Sequence, residues 1–226
     1  MHSKKKKLEV FRRTGLYPVI SPGFTLGRPM TEIMFQLADA GTELVQLRMK
    51  TESSLEIFRE AEKFKKICSK HNILLIIDDR PDVAIACGAD GVHLGQDDIP
   101  HEIVAKFAKE LIIGASTHSL EEALEAERKG ADYINIGPIF KTGTKKTGFA
   151  PLGISRFAKI AKKIRIPFTV MGGIKSRHLP RLIQAGAKKI AMVTEISESY
   201  DVKAKFIELQ SICRNSEYDT KRRPLL

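Results

Sequence analysis

Polar residues suited to phosphate and metal chemistry recur just after short apolar runs. The first set is Gln46, Arg48 and Lys50, separated by Leu47 and Met49, so that an extended strand turns the three polar side chains to one side. Arginine offers a planar fork to phosphate oxygens and lysine a point charge, which fits an anion site; a solvated surface strand has the same alternation. Further on, the run 73–77 stops at Asp78 and Asp79, and the run 91–94 is followed by Gln96, Asp97 and Asp98. Adjacent carboxylates repel unless a cation or donors compensate them. Carboxylates after neighbouring strands can meet at one point, where oxygen ligands suit Mg²⁺ bridging a pyrophosphate. Asp78 and Asp98 equally fit a simpler role as helix caps.

Downstream lie Ser116 and His118, both candidates for ligand contact, then Ser119, whose spacing to Glu122 is that of a capping box. No readable acidic partner completes a Ser-His-Asp nucleophile. The segment 137–148 is rich in glycine, threonine and lysine, including Thr142, Thr144 and Lys145, and is able to close on a phosphate and exclude water. Gly172-Gly173-Ile174 and the pair Val193, Thr194 follow the last two apolar runs, where exposed backbone amides can bind a further phosphate.

The elements that must position these residues can be counted. Eight short apolar runs, at 16–20, 44–47, 73–77, 91–94, 111–115, 133–136, 167–171 and 189–193, alternate with amphipathic segments such as 54–69. Glycines at 41, 88, 130 and 186 lead from segment ends into the next run, as left-handed helix ends do. Eight βα units without a composition break predict one α/β domain, a single (β/α)₈ TIM barrel over residues 14–213. A doubly wound open sheet would carry G-x-G-x-x-G after its first strand, and none is present. In a barrel, groups at the C-terminal strand ends converge on one mouth, which is where every motif above falls.

The 226 residues are 42% hydrophobic and 29% charged, a globular composition with room for a core. No apolar run is long enough to span a bilayer, and the N-terminal lysines precede no apolar stretch, so the expected location is cytoplasmic, without a membrane partner. The formal charge of +11 raises nucleic acid as a partner. Much of it sits in Lys4 to Lys7 and in Lys221, Arg222 and Arg223; segments 1–13 and 214–226 are therefore expected to be solvated, disordered tails, and no nucleic acid partner is expected. Cys68, Cys87 and Cys213 are too scattered for a disulfide framework or a zinc site.

Taken in order, Gln46-x-Arg48-x-Lys50, Asp79-Arg80, Gly95-Gln96-x-Asp98, Gly114-x-Ser116-x-His118, Gly137-Pro138 through Lys145 and Gly172-Gly173-Ile174 resemble the thiamine phosphate synthase family, from about residue 16 to residue 211. The resemblance implies a cytoplasmic transferase that joins hydroxymethylpyrimidine pyrophosphate to thiazole phosphate, releasing pyrophosphate; it is compatible with a homo-oligomer. It assigns Gln46, Arg48, Lys50 and Asp78 to the pyrimidine pyrophosphate and Asp79 and Asp98 to Mg²⁺. Ser116 and Lys145 would act at the leaving pyrophosphate, and Thr142, Thr144, Gly173, Val193 and Thr194 at the thiazole phosphate. The family has asparagine where this chain has Asp78, and Ser-Ala-Ile where it has Thr194-Glu195-Ile196, which leaves the roles of Asp78 and Glu195 open. The run from His118 to Ala123 is also similar to the related thiazole tautomerase, a metal-independent isomerase in which His118 would move a proton. A non-catalytic barrel that binds a phosphorylated ligand is the remaining alternative.

Overall fold

The structure is a computed structural model and describes residues 3–144 and 149–222, with side chains as far as Ser216. Eight strands, all parallel, close on themselves in chain order: β1 (Leu16–Ile20), β2 (Leu44–Leu47), β3 (Leu74–Asp78), β4 (Gly91–Leu94), β5 (Ile112–Thr117), β6 (Tyr133–Ile136), β7 (Phe168–Val170) and β8 (Ile190–Met192). β8 pairs back to β1 through Leu16 and Ile190, completing the TIM barrel that the run count predicts. Each predicted run overlaps an observed strand within a few residues.

The helices are α1 (Lys4–Arg13), α2 (Met30–Asp39), α3 (Ser54–His71), α4 (Pro81–Ala86), α5 (His101–Phe107), α6 (Leu120–Arg128), α7 (Gly153–Ala161), α8 (Leu179–Gln184), α9 (Thr194–Ser197) and α10 (Val202–Arg222). Local signals set several boundaries. Ser53 and Glu56 form a reciprocal capping box at the start of α3, and Ser119 Oγ accepts from the Glu122 amide at 3.1 Å, as its spacing predicts. α6 ends at Gly130, whose φ of 84° suits a residue without a side chain.

Strand alternation sorts the apolar residues into two cores. Outward-facing Val45, Leu47, Leu75, Ile77 and Val92 pack under the helices. Inward-facing Tyr17, Leu44, Ile76, Ile112 and Tyr133 fill the barrel.

The N-terminal segment differs from the expected solvated, disordered tail; residues 1–2 and 223–226 of the two expected tails, Arg223 included, lie outside the described residues. α1 packs across the N-terminal end of the barrel: Phe11 is fully buried, and Lys7 is 2% exposed. Lys4 lies 2.7 Å from Asp132 and Lys7 3.4 Å from Asp90, so carboxylates on the barrel floor offset the like-charge repulsion within the run. At the other end α10, anchored by buried Phe206, Leu209 and Cys213, continues past residue 213 to Arg222, so the segment 214–222 is helical rather than disordered, with Arg214 and Asn215 exposed as expected. The three cysteines are free. Among the described residues no helix is long and apolar enough to cross a membrane.

Candidate active site

At the C-terminal end of β2 the predicted alternation holds. Leu47 and Met49 are buried in the outer core, while Gln46, Arg48 and Lys50 line the other side. Gln46 is 2% exposed and donates from Nε2 to the Tyr17 hydroxyl at 3.0 Å. Arg48 donates to Ser21 Oγ at 3.3 Å and lies 3.6 Å from Asp78 Oδ2. Lys50 lies 2.9 Å from the same oxygen and pairs also with Asp79.

β3 ends in a tight change of direction. Asp79 has φ of 60°, a left-handed conformation that aspartate tolerates better than most residues, and its amide donates to the His93 carbonyl at 2.8 Å. This turn lets two successive carboxylates serve different partners. Asp78 points into the interior; burial, reinforced by the Asp79 charge, pushes its pKa up to about 6 against the pull of Lys50 and Arg48. Its Oδ2 faces both cations yet accepts no well-aligned hydrogen bond.

Asp79 and Asp98 face the same mouth near enough for each to shift the titration of the other. Burial raises the pKa of Asp98, and contact with Asp79 raises it further. Burial also acts upward on Asp79, but Lys50, helped by Asp98 and His93, outweighs it and the net shift is down. Neither Asp78 nor Asp98 caps a helix: the N-caps of α4 and α5 are Arg80 and Pro100, and Asp98 Oδ2 accepts from the Gly95 amide of its own loop at 2.6 Å. The capping alternative is thereby removed. Arg80 turns away from the mouth to Asp82 and Ser54.

The other motifs meet across the barrel. A cavity of about 110 Å³ is lined by Arg48, Ser116, Thr142, Thr144, Gly173 and Val193, among others. Thr142 and Thr144 hold each other, hydroxyl to hydroxyl at 3.2 Å. A Cβ on Gly173 would fall 2.3 Å from the Lys141 carbonyl oxygen, so glycine is what allows the β7 end and the threonine loop to touch. Thr194 opens α9 beside Val193 without lining the cavity itself. Lys145 lies outside the described residues. A larger groove of about 810 Å³ sits at the opposite end, beside α1 and α8, but it holds none of the strand-end groups.

Several partners were not readable in the sequence. His118 Nδ1 lies 3.0 Å from Glu122 Oε2, and its ring stacks on Phe149 at 3.9 Å. Glu195 does not oppose an anion: it accepts from the Ser176 amide at 2.9 Å and pairs with Lys175 at 3.1 Å. His93, inward-facing and 7% exposed, reaches Ser116 Oγ at 3.0 Å; its place in the alternation of β4, two residues after Gly91, was the available signal.

Residues 16–196, which contain all these strand ends, match the family described as thiamine monophosphate synthase. The chain belongs to that family. It is 42% identical over 190 residues to the thiamine-phosphate synthase of Shouchella clausii, covering 84% of this chain and 91% of that one. To the Dictyoglomus turgidum thiamine-phosphate synthase it is 38% identical over 220 residues, covering 96% and 99%. The thiamine phosphate pyrophosphorylase of Pyrococcus furiosus superimposes with a TM-score of 0.83 at 32% identity, over 91% of this chain and 98% of the other. The activity is accordingly that of a thiamine phosphate synthase, a transferase of thiamine biosynthesis.

Proposed function

We propose that the chain transfers the hydroxymethylpyrimidine group from its pyrophosphate to thiazole phosphate, with Asp79 and Asp98 holding Mg²⁺. The observation that supports this reading is the gathering of opposite charges at one mouth: Lys50 pairs with Asp78 and Asp79, Arg48 lies beside Asp78, and Asp98 is near enough to Asp79 to be influenced by its charge. Two acids this near one another would gain from a shared cation, and carboxylate oxygens of Asp79 and Asp98 are ligands that would suit Mg²⁺. The ion would supply charge neutralisation at the pyrophosphate.

The amino group of the pyrimidine stabilises a cation at its exocyclic methylene, so the carbon–oxygen bond can break with both electrons leaving on pyrophosphate. Arg48, Lys50 and Lys145 offset that growing charge, and Ser116 lies beside the leaving group. The thiazole nitrogen then attacks the methylene cation, and no protein nucleophile is needed. Thr142, Thr144, Gly173 and Val193 hold the thiazole phosphate at the other side of the cavity, with Thr194 behind them at the start of α9. Gln46 and Asp78 complete the pyrimidine pyrophosphate side, Gln46 from within the barrel and Asp78 through its two cations.

The test is turnover of purified protein with both phosphorylated substrates, with Mg²⁺ and with excess chelator. Undiminished turnover in chelator overturns the metal assignment. Isomerisation of the thiazole alone, lost in His118→Gln and indifferent to Mg²⁺, would replace the transferase reading with the tautomerase.

A further inference from the structure

A line of hydrogen bonds runs through the barrel interior and ends at Ser116. Gln46 Nε2 donates to the Tyr17 hydroxyl at 3.0 Å, the Tyr17 and Tyr133 hydroxyls lie 3.2 Å apart, Tyr133 Oη is 3.0 Å from His93 Nδ1, and His93 Nε2 is 3.0 Å from Ser116 Oγ. These groups come from β2, β1, β6, β4 and β5, and all but half-buried Ser116 are under 9% exposed. The ring of Tyr133 fits only because residue 114 is glycine: a Cβ there would lie 2.1 Å from it. Burial raises the pKa of both tyrosines, so both are neutral hydroxyls with one proton each to place.

Those protons can be assigned in order. An amide NH₂ only donates, so Tyr17 oxygen accepts from Gln46 and the Tyr17 proton goes to Tyr133 oxygen. The Tyr133 proton then goes to His93 Nδ1. An imidazole that accepts at Nδ1 carries its own proton on Nε2, which it donates to Ser116 Oγ. The Ser116 proton has no acceptor on His93 and is directed to the cavity. In the reverse direction Tyr17 would accept from both neighbours and leave its proton buried without an acceptor, a desolvation cost that disfavours it.

We propose that Tyr17, Tyr133 and His93 are positioning residues that fix the Ser116 hydroxyl as a donor toward the pyrophosphate oxygen on which charge develops. The inference rests on the proposed place of Ser116 beside the leaving group. A serine hydroxyl rotates freely when nothing constrains it, and a donor oriented in advance has no reorganisation left to make when the bond breaks.

Two measurements test it. The imidazole ¹⁵N resonances of the wild-type protein, with His93 identified by His93→Gln, are expected to show the neutral Nε2–H tautomer; Nδ1–H, or protons on both nitrogens, overturns the chain. Tyr133→Phe removes the donor to Nδ1 and is expected to lower kcat about 10-fold while KM for both substrates stays within about 3-fold. Ser116→Ala should lower kcat at least as far, and adding Tyr133→Phe to it should cost nothing more, because both act through one hydroxyl. Fully additive losses overturn the positioning role. If Ser116→Ala turns over normally, the place of Ser116 at the leaving group fails and the proposal with it, whatever tautomer His93 holds.

Discussion

Phe11 of α1 packs 4.3 Å, centroid to centroid, from Tyr133 of β6, inside the floor of the barrel. A segment whose sequence is dominated by lysine therefore supplies the residue that closes the inner core. Lys7 and Phe11 are one helical turn apart and point the same way, toward Asp90 and the aromatic rings.

Phe11→Ala should consequently lower the free energy of unfolding by about 3 to 5 kcal/mol, as truncation of a buried aromatic does. Deleting residues 1–13 should cost at least as much. Urea unfolding reads both, and an unchanged midpoint would mean that α1 is not part of the cooperative unit.

The reason α1 escapes a sequence reading is physical. Four adjacent lysines read locally as self-repelling, and the carboxylates that neutralise them lie far along the chain, in the turns at Asp90 and Asp132. The mouth of the barrel was legible for the opposite reason: its residues sit at strand ends, where two-residue alternation fixes direction, as at Arg48 and Lys50. What alternation cannot give is contact between strands. The meeting of Tyr17 with Tyr133, 116 positions apart, and of Asp79 with Asp98, exists only once the barrel closes. Glu195 was misleading for a related reason, since its partners Lys175 and Ser176 belong to the preceding βα unit.

Lys189 makes a pH-dependent contribution to stability. It is 2% exposed, donates to Thr14 Oγ1 at 2.6 Å and lies 4.6 Å from the centre of the Phe11 ring. Burial pushes its pKa down to about 7 from 10.5, with Glu43 opposing. Between those two values the unfolded chain holds the proton more often than the folded one, so stability rises with pH across that window and the cost is fully present below it. Relative to Lys189→Met, the wild type should gain about 1 kcal/mol per pH unit between about pH 7 and 9. Parallel stability curves for the two proteins would show that the buried amine titrates normally.

Gly173 is predicted to govern thiazole phosphate binding more than folding. Its φ is 62°, and an added Cβ meets the Lys141 carbonyl, so Gly173→Ala must push residues 140–141 away from the β7 end and carry Thr142 and Thr144 with them. Displacement of about 1 Å at a binding group can cost on the order of 10²-fold. The KM for thiazole phosphate should rise at least about 10-fold while that for the pyrimidine pyrophosphate changes little. Equal rises in both would place Gly173 in general support of the mouth.

Asp78 stands where the family resemblance leads one to expect asparagine, and its surroundings show what the charge costs. The carboxylate is 6% exposed, its Oδ2 lacks a well-aligned donor, and burial together with Asp79 raises its pKa despite Lys50 at 2.9 Å and Arg48 at 3.6 Å. Removing one partner of a buried ion pair usually destabilises because it strands the other charge. Here Lys50 keeps Asp79, and Arg48 keeps Ser21 and the cavity, so neither cation is stranded. Asp78→Asn preserves shape, removes a carboxylate whose charged form the site disfavours, and leaves Asp79 with one fewer like charge beside it. The expected result near neutral pH in excess chelator is a gain in unfolding free energy on the order of 1 kcal/mol. With Mg²⁺ and both substrates, turnover should be equal or higher, since Lys50 and Arg48 are then drawn less toward the protein and more toward pyrophosphate. If the variant folds normally yet turns over slower by about an order of magnitude or more, the Asp78 charge itself serves the reaction, and this chain has departed from its relatives in how it holds the pyrophosphate.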